Sequence, residues 1–182
     1  TACAVVCVAL VSTSARAMDL LDQWRAPEDV WFARGGPAGD GGRSGLLVTP
    51  SGVLLHGPRG APVATVPRGG PRDGYIVPSD DGRYFAIVTR QRSGVKSAST
   101  TLVRVYGPDG AQVATHSWRV EYDDSNPSFE VSGVDGTLAI TPIYTRDPHL
   151  LRPNGTRVDF APTELIRDVD FARDTPLIAT AR

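Results

Sequence analysis

The chain has 182 residues, of which 41% are apolar and 21% charged, and its formal net charge is −1. A balance this close to neutral gives no electrostatic basis for binding nucleic acid or an acidic membrane surface, since both require a basic excess. Its 19 glycines and 15 prolines keep it below the low-complexity range, and its two cysteines, Cys3 and Cys7, sit at the extreme N-terminus, so the rest of the chain has no thiolate metal site, cysteine nucleophile or disulfide framework.

In chain order, Thr1–Val11 is an uncharged apolar run, followed by Ser12-Thr13-Ser14 and then Ala15-Arg16-Ala17. Small residues at the first and third places of Ala-x-Ala suit signal peptidase, so residues 1–17 read as a secretory signal lacking its Met and basic start. The run is too short to span a bilayer. Cleavage after Ala17 would leave a chain without thiols, as suits an oxidising compartment where packing supplies the stability. Met18–Ala26 is expected to form one or two helical turns, with Leu20, Leu21 and Trp24 on one face and Pro27 as the stop. Val30-Trp31-Phe32 reads as a strand. Gly35–Gly45 reads as a flexible Gly-rich loop, because no Gly-Lys-Ser/Thr follows to make a phosphate cradle and Ser44 does not fit G-x-S-x-G. Leu46–Thr49 and Val53–His56 flank the turn Thr49-Pro50-Ser51-Gly52.

The organising stretch is Tyr75–Trp118, which reads as four successive strands. Tyr75 and Val77 lead into the turn Ser79-Asp80-Asp81-Gly82, where Asp-Gly supplies the positive φ of a tight turn. Tyr84–Thr89 is an apolar run suited to a central strand buried on both faces. In Thr100–Tyr106, Val103 and Val105 alternate with Leu102 and Arg104. Gly107-Pro108-Asp109-Gly110 turns the chain into the closing strand Ala111–Trp118.

Parts of this unit recur. Val53–Thr65 (VLLHGPRGAPVAT) matches Val103–Thr115 (VRVYGPDGAQVAT) at a constant offset of fifty residues (53 to 103). Leu150–Val158 is a degenerate third copy, with Pro153-Asn154-Gly155 in place of Pro108-Asp109-Gly110. The first hairpin recurs at Phe129–Thr141, with one residue fewer after its glycine, and again at Val169–Thr180. A period of roughly 40–50 residues with four strands each belongs to β-propellers. The expectation is therefore an all-β propeller of four-stranded antiparallel blades: a signal at 1–17, a short helix, first strand and Gly-rich loop at 18–45, and blades over 46–182. Three units are centred on Val53–Thr65, Tyr75–Trp118 and Phe129–Phe160, and a fourth begins at Ile166–Thr180. This amounts to about three and a half blades of an incomplete ring, an open arc that would be poorly soluble or oligomeric.

Pro78–Arg90 (PSDDGRYFAIVTR) resembles the S-P-D-G-x-x-[IL]-A-[FV] core of TolB-like and related WD-repeat-like bacterial propellers, with Asp80 where that pattern has Pro. Gly107–Val113 resembles the D-G-x-x-V hairpin of the same blades. The similarity covers most of Val30–Thr180, but without the Gly-His and Trp-Asp dipeptides of WD repeats. It implies a fold and leaves function open, because such blades serve unrelated activities.

On that fold, the second-to-third-strand loops and the inter-blade loops open on one face. That face would carry Arg68, Arg72, Asp73, Arg90, Arg92, Lys96, Glu121, Tyr122, Asp123, Asp124, Tyr144, Arg146, Asp147 and His149, either as a binding rim or as a solvated one. Glu121–Asn126 clusters oxygen ligands of the kind Ca²⁺ takes, without the D-x-D-x-D-G spacing, so no metal site is assigned. His56 aligns with Tyr106 and reads as structural. His116 and His149 have no partner at ligand spacing, and Asn154-Gly155-Thr156 is a glycosylation sequon explained equally by its turn. No cofactor motif and no catalytic constellation stands out. The favoured reading is a secreted or periplasmic non-catalytic scaffold for a protein or glycan. The alternative is the propeller part of a hydrolase, lactonase or lyase, for which Asp73, Glu130 and Asp170 are the candidate carboxylates.

Overall fold

The structure is a computed structural model that describes residues 5–9, 20–25, 28–37, 43–57, 61–68, 74–92, 99–120, 127–141, 148–160, 168–171 and 178–181. All regular structure among the described residues is β. A first hairpin pairs β1 (Val5–Ala9) with β2 (Leu20–Arg25). Three four-stranded antiparallel sheets follow, each with its strands in chain order. The first holds β3 (Phe32–Pro37), β4 (Arg43–Val48), β5 (Gly52–His56) and β6 (Pro62–Pro67). The second holds β7 (Gly74–Pro78), β8 (Phe85–Arg92), β9 (Ser99–Tyr106) and β10 (Gln112–Val120). The third holds β11 (Ser128–Val131), β12 (Leu138–Thr141), β13 (His149–Leu151) and β14 (Arg157–Asp159). A last hairpin joins β15 (Asp168–Phe171) to β16 (Ile178–Ala181).

The expected turns fall where Asp-Gly and Asn-Gly placed them. Gly82, Gly110, Gly136 and Gly155 all have φ between 70° and 83°, the left-handed region that a residue with a Cβ enters at a cost. Three copies of the second hairpin close with one hydrogen bond. Gly57 N donates to Ala61 O (2.8 Å), Gly107 N to Ala111 O (2.9 Å) and Arg152 N to Thr156 O (2.9 Å). Asp109 Oδ1 accepts from Ala111 N at 3.0 Å, and Asn154 Oδ1 accepts from Thr156 N at 2.9 Å. Asn154 thus does the work of a turn residue.

The fifty-residue repeat is a repeat of register. Leu55 pairs with Ala64 and Leu54 with Thr65, and Val105 pairs with Ala114 and Arg104 with Thr115. Both hairpins carry a bulge at the same place, which leaves Val63 and Val113 unpaired and exposed (52% and 39%). The degenerate copy keeps the turn and drops the bulge, so Leu150 pairs directly with Val158.

The sheets pack face on face in chain order. One face of the second sheet presents Ile76, Phe85, Ile87 and Tyr106 to Leu46, Val48, Val53, Leu55 and Val66 of the first. Its other face presents Ala86, Val88, Val103, Val105 and Ala114 to Phe129, Val131, Leu138 and Ile140 of the third. Phe85, Ala86, Ile87 and Val88 are at most 2% exposed, the two-sided burial expected of the central run. Leading strands neighbour one another, with β11 beside both β7 and β15. Ala139 and Phe171 continue the core from the third sheet to β15.

Three expectations are corrected. Residues 20–25 form strand and not helix, since pairing with β1 satisfies the backbone of a segment too short to sustain a helix alone. The Gly-rich stretch is partly ladder: Gly35, Gly36 and Pro37 pair with Gly45, Ser44 and Arg43. Local glycine content is overridden there by strand pairing. The first strand of that sheet is Phe32–Pro37, with Trp31 N still donating to Val48 O at 2.8 Å, so the sheet starts upstream of residue 46. Of the expected signal segment only Val5–Ala9 is described, and the cleavage site Ala15-Arg16-Ala17 lies outside the described residues.

Candidate functional site: the long end of the second sheet

The repeat shows where the second sheet departs from the first. In the first sheet, the β5–β6 ladder ends at Gly52 opposite Pro67. The equivalent pair, Leu102 opposite Ser117, is followed by three more: Thr101–Trp118, Thr100–Arg119 and Ser99–Val120. β8 lengthens to match, with Arg90 opposite Thr101 and Arg92 opposite Ser99. This extension lies at the end of the sheet where the second-to-third-strand and inter-sheet connections run.

Residues directly opposite in an antiparallel ladder share a face. Tyr75, Val88, Val103 and His116 make one row of that face, and Arg90, Thr101 and Trp118 the next. Val88 and Val103 pack on the third sheet, so this face looks toward it. Phe129 of β11 is 4% exposed and lies between two rings, 6.1 Å from that of Tyr75 and 5.7 Å from that of Trp118. Tyr75 is 44% exposed and Trp118 half-buried, so the rings form an aromatic border open on its outer side.

Within that border the polar groups are incompletely satisfied. Thr101 is fully buried and Ser99 is 2% exposed, yet neither hydroxyl has a hydrogen-bond partner among the described residues. Leaving a buried hydroxyl unpaired costs about 1–3 kcal/mol. His116 Nε2 is likewise buried without a partner, and burial lowers the His116 pKa. Burial pushes the Tyr75 phenol up to about 12 against the opposing pull of the Arg90 charge, so its hydroxyl is a neutral donor. Arg90 is half-buried and in no ion pair among the described residues, where Arg157 and Asp159 pair at 2.5 Å.

The rim residues expected from sequence divide into three groups. Arg72, Asp73, Lys96, Glu121, Tyr122, Asp123, Asp124, Tyr144, Arg146 and Asp147 lie outside the described residues. Arg90, Arg92 and His149 lie within strands and not loops, His149 opposite Ile140 and Asp159. Arg68 is engaged in structure: its Nε donates to Gly74 O at 2.9 Å, and its guanidinium lies 5.1 Å from the Trp31 ring centroid. Glu130 lies on β11 opposite Ala139, and Asp170 on β15 opposite Ala179. Sequence reading found Arg90 but missed Tyr75, Ser99, Thr101 and Trp118. The available signal was alternation, since Ala86, Val88 and Arg90 put an arginine at the end of an apolar face. No three His, Cys, Asp or Glu side chains gather as metal ligands among the described residues, and no helix among them is long and apolar enough to cross a membrane.

The class defined to this point is an all-β protein of successive four-stranded antiparallel sheets packed face to face. No protein-family model and no curated protein matches the chain. Among solved structures it is similar to a Bacteroides caccae protein described as of unknown function, with 10% identity and a TM-score of 0.40. The match covers 71% of this chain and 46% of that one, so the chain spans less than half the length of that relative.

Proposed function

We propose that this protein is a secreted or periplasmic β-propeller of TolB-like blades that acts as a non-catalytic binding scaffold, with its ligand site at the long end of the second sheet. The propeller reading is supported by the register repeat, by sheets stacked in chain order and by leading strands that neighbour one another. Export is supported by the apolar N-terminal run ending in Ala-x-Ala. One observation carries the binding reading. The three pairs that lengthen the second sheet put half-buried Arg90 and Trp118 on one face beside the exposed Tyr75 ring, with the unpartnered Ser99 and Thr101 hydroxyls buried on the same face. On that face Arg90, Tyr75 and Trp118 keep accessible surface that a ligand can reach.

The test is a combined glycan and peptide array probed with the full chain and with Trp118→Ala and Arg90→Ala. Binding to one ligand class that either substitution abolishes supports the reading. Absence of binding, or binding indifferent to both substitutions, refutes it.

A further inference from the structure

Trp31 is 59% exposed, the most exposed large apolar side chain among the described residues. Its chain neighbours are engaged in packing: Val30 lies against Leu47 and Leu54, and Phe32 against the core between the first and second sheets. Trp31 is nevertheless held in place. Its N donates to Val48 O at 2.8 Å, and the Arg68 guanidinium lies 5.1 Å from its ring centroid. Arg68 is fixed in turn. Its Nε and Nη2 both donate to Gly74 O, and its backbone N donates to Ser51 O at 3.1 Å. Ser51 Oγ and Thr49 Oγ1 both donate to Glu28 Oε1, the second at 2.7 Å, so neither bond uses Oε2. The hydrogen bonds from Ser51 and then Thr49 lower the Glu28 pKa, which keeps the carboxylate ionised at neutral pH. One exposed indole, a guanidinium and an ionised carboxylate are thus joined by continuous contacts around the β4–β5 turn.

We propose that Trp31 is a second stacking platform of the same binding surface, and that the ligand is a neutral linear polysaccharide lying across the first and second sheets. This rests on the binding-scaffold reading. The surface is continuous: Gly74, whose carbonyl receives Arg68, immediately precedes Tyr75, the 44% exposed ring that borders the site on the second sheet. Contacts therefore run from Trp31 through Arg68 to Tyr75, and through Phe129 to Trp118. Platforms on two sheets suit a chain of repeating units better than a single unit. The choice of a sugar comes from the groups at Trp31. An indole packs a flat apolar body, and a pyranose offers a C–H face rimmed by hydroxyls. Those hydroxyls both donate and accept, as needed to meet Glu28 Oε2 and the Arg68 donors not turned to Gly74. The Glu28 and Arg68 charges oppose one another, so a charged sugar would meet its own sign at one of them. Fixing the indole and guanidinium before binding lowers the cost of ordering them.

The test is isothermal titration calorimetry of the full chain with disaccharides and hexasaccharides of the cello, xylo and manno series, a hexagalacturonate and a proline-rich peptide. A neutral hexasaccharide is expected to bind about tenfold more tightly than its disaccharide, the size of one further aromatic packing contact. Trp31→Ala is expected to erase that advantage and Trp31→Phe to keep most of it, which separates lost stacking from lost folding. An advantage that survives Trp31→Ala, with Trp118→Ala still abolishing binding, overturns the second platform and leaves the site on the second sheet in place. Binding lost in Trp31→Ala but indifferent to Trp118→Ala overturns both the spanning ligand and that site. Preference for hexagalacturonate or the peptide, equal loss in Trp31→Phe, or no binding of any neutral hexasaccharide also overturns the proposal.

Discussion

Gly110 and Gly155 occupy the same place in two copies of one hairpin, with φ of 80° and 83°. Their surroundings differ. A Cβ added at Gly110 would lie 2.7 Å from Ala64 Cβ and 3.5 Å from Leu55 Cδ1 and Val66 Cγ2, whereas one added at Gly155 meets nothing within 4 Å. Alanine costs about 1–2 kcal/mol at either glycine for the left-handed backbone. At Gly110 the carbons are about 1 Å inside normal contact, and overpacking adds about 1–3 kcal/mol. Gly155→Ala should therefore destabilise by about 1–2 kcal/mol and Gly110→Ala by roughly 2–5 kcal/mol. Ala64→Gly opens the space again, at its own cost of about 0.5–1 kcal/mol. The double variant should then show a favourable coupling of at least about 1 kcal/mol, as neighbours in contact do. Urea unfolding followed by tryptophan fluorescence measures all four. Equal losses in the two single glycine variants, or a coupling near zero, would refute the packing of the second sheet on the first.

Other outcomes follow from the same contacts. Gly133→Ala should cost about 1–3 kcal/mol, because its Cβ would come within 2.5 Å of the Asp81 carboxylate, which is 6% exposed and held by Ser79 Oγ and Arg83 N. An unchanged urea midpoint would show that the turn of the second sheet does not rest on the third. Thr101→Val should stabilise the ligand-free chain by about 1–3 kcal/mol by removing an unpartnered buried hydroxyl, and calorimetry reporting a loss would contradict that assignment. Burial lowers the His116 pKa in the fold, so the unfolded chain takes its proton first as the pH falls. Stability should be complete above the unfolded value of about 6.5, fall below it and level off under the folded pKa, with His116→Leu flattening that slope in urea melts at pH 5–8. Glu28 acts at lower pH: its folded pKa is lowered, so its contribution is present above the unfolded value and lost on acidification through the folded one.

Most of the architecture was legible because it depends on backbone chemistry that specific residues announce. Asp81-Gly82, Asp109-Gly110, Asp135-Gly136 and Asn154-Gly155 located four turns, and the match of Val53–Thr65 to Val103–Thr115 carried register and bulge with it. Residues 20–25 were misread because Leu20, Leu21 and Trp24 fit a helical face, while the β1 partner that makes them a strand is far away in sequence. The glycines of β3 were misread because a strand pairing through backbone alone leaves no side-chain signal. The site was only partly legible for a related reason. Tyr75, Arg90, Thr101 and Trp118 come from four strands and meet only once the register is known.

The repeat also shows where the second sheet departs from the first. Turn glycines, closing hydrogen bonds and buried valines are what successive sheets hold in common, and they account for folding. The second sheet keeps all of these and adds three residue pairs. In the first sheet, the Thr49 and Ser51 hydroxyls around the β4–β5 turn donate to Glu28. In the second, Ser99 and Thr101 stay unsatisfied, and the arginine opposite Thr101 is left without an acidic partner among the described residues. Each of these features lowers the stability of the isolated fold. Their coincidence on one short extension supports the proposed binding role of that end of the sheet.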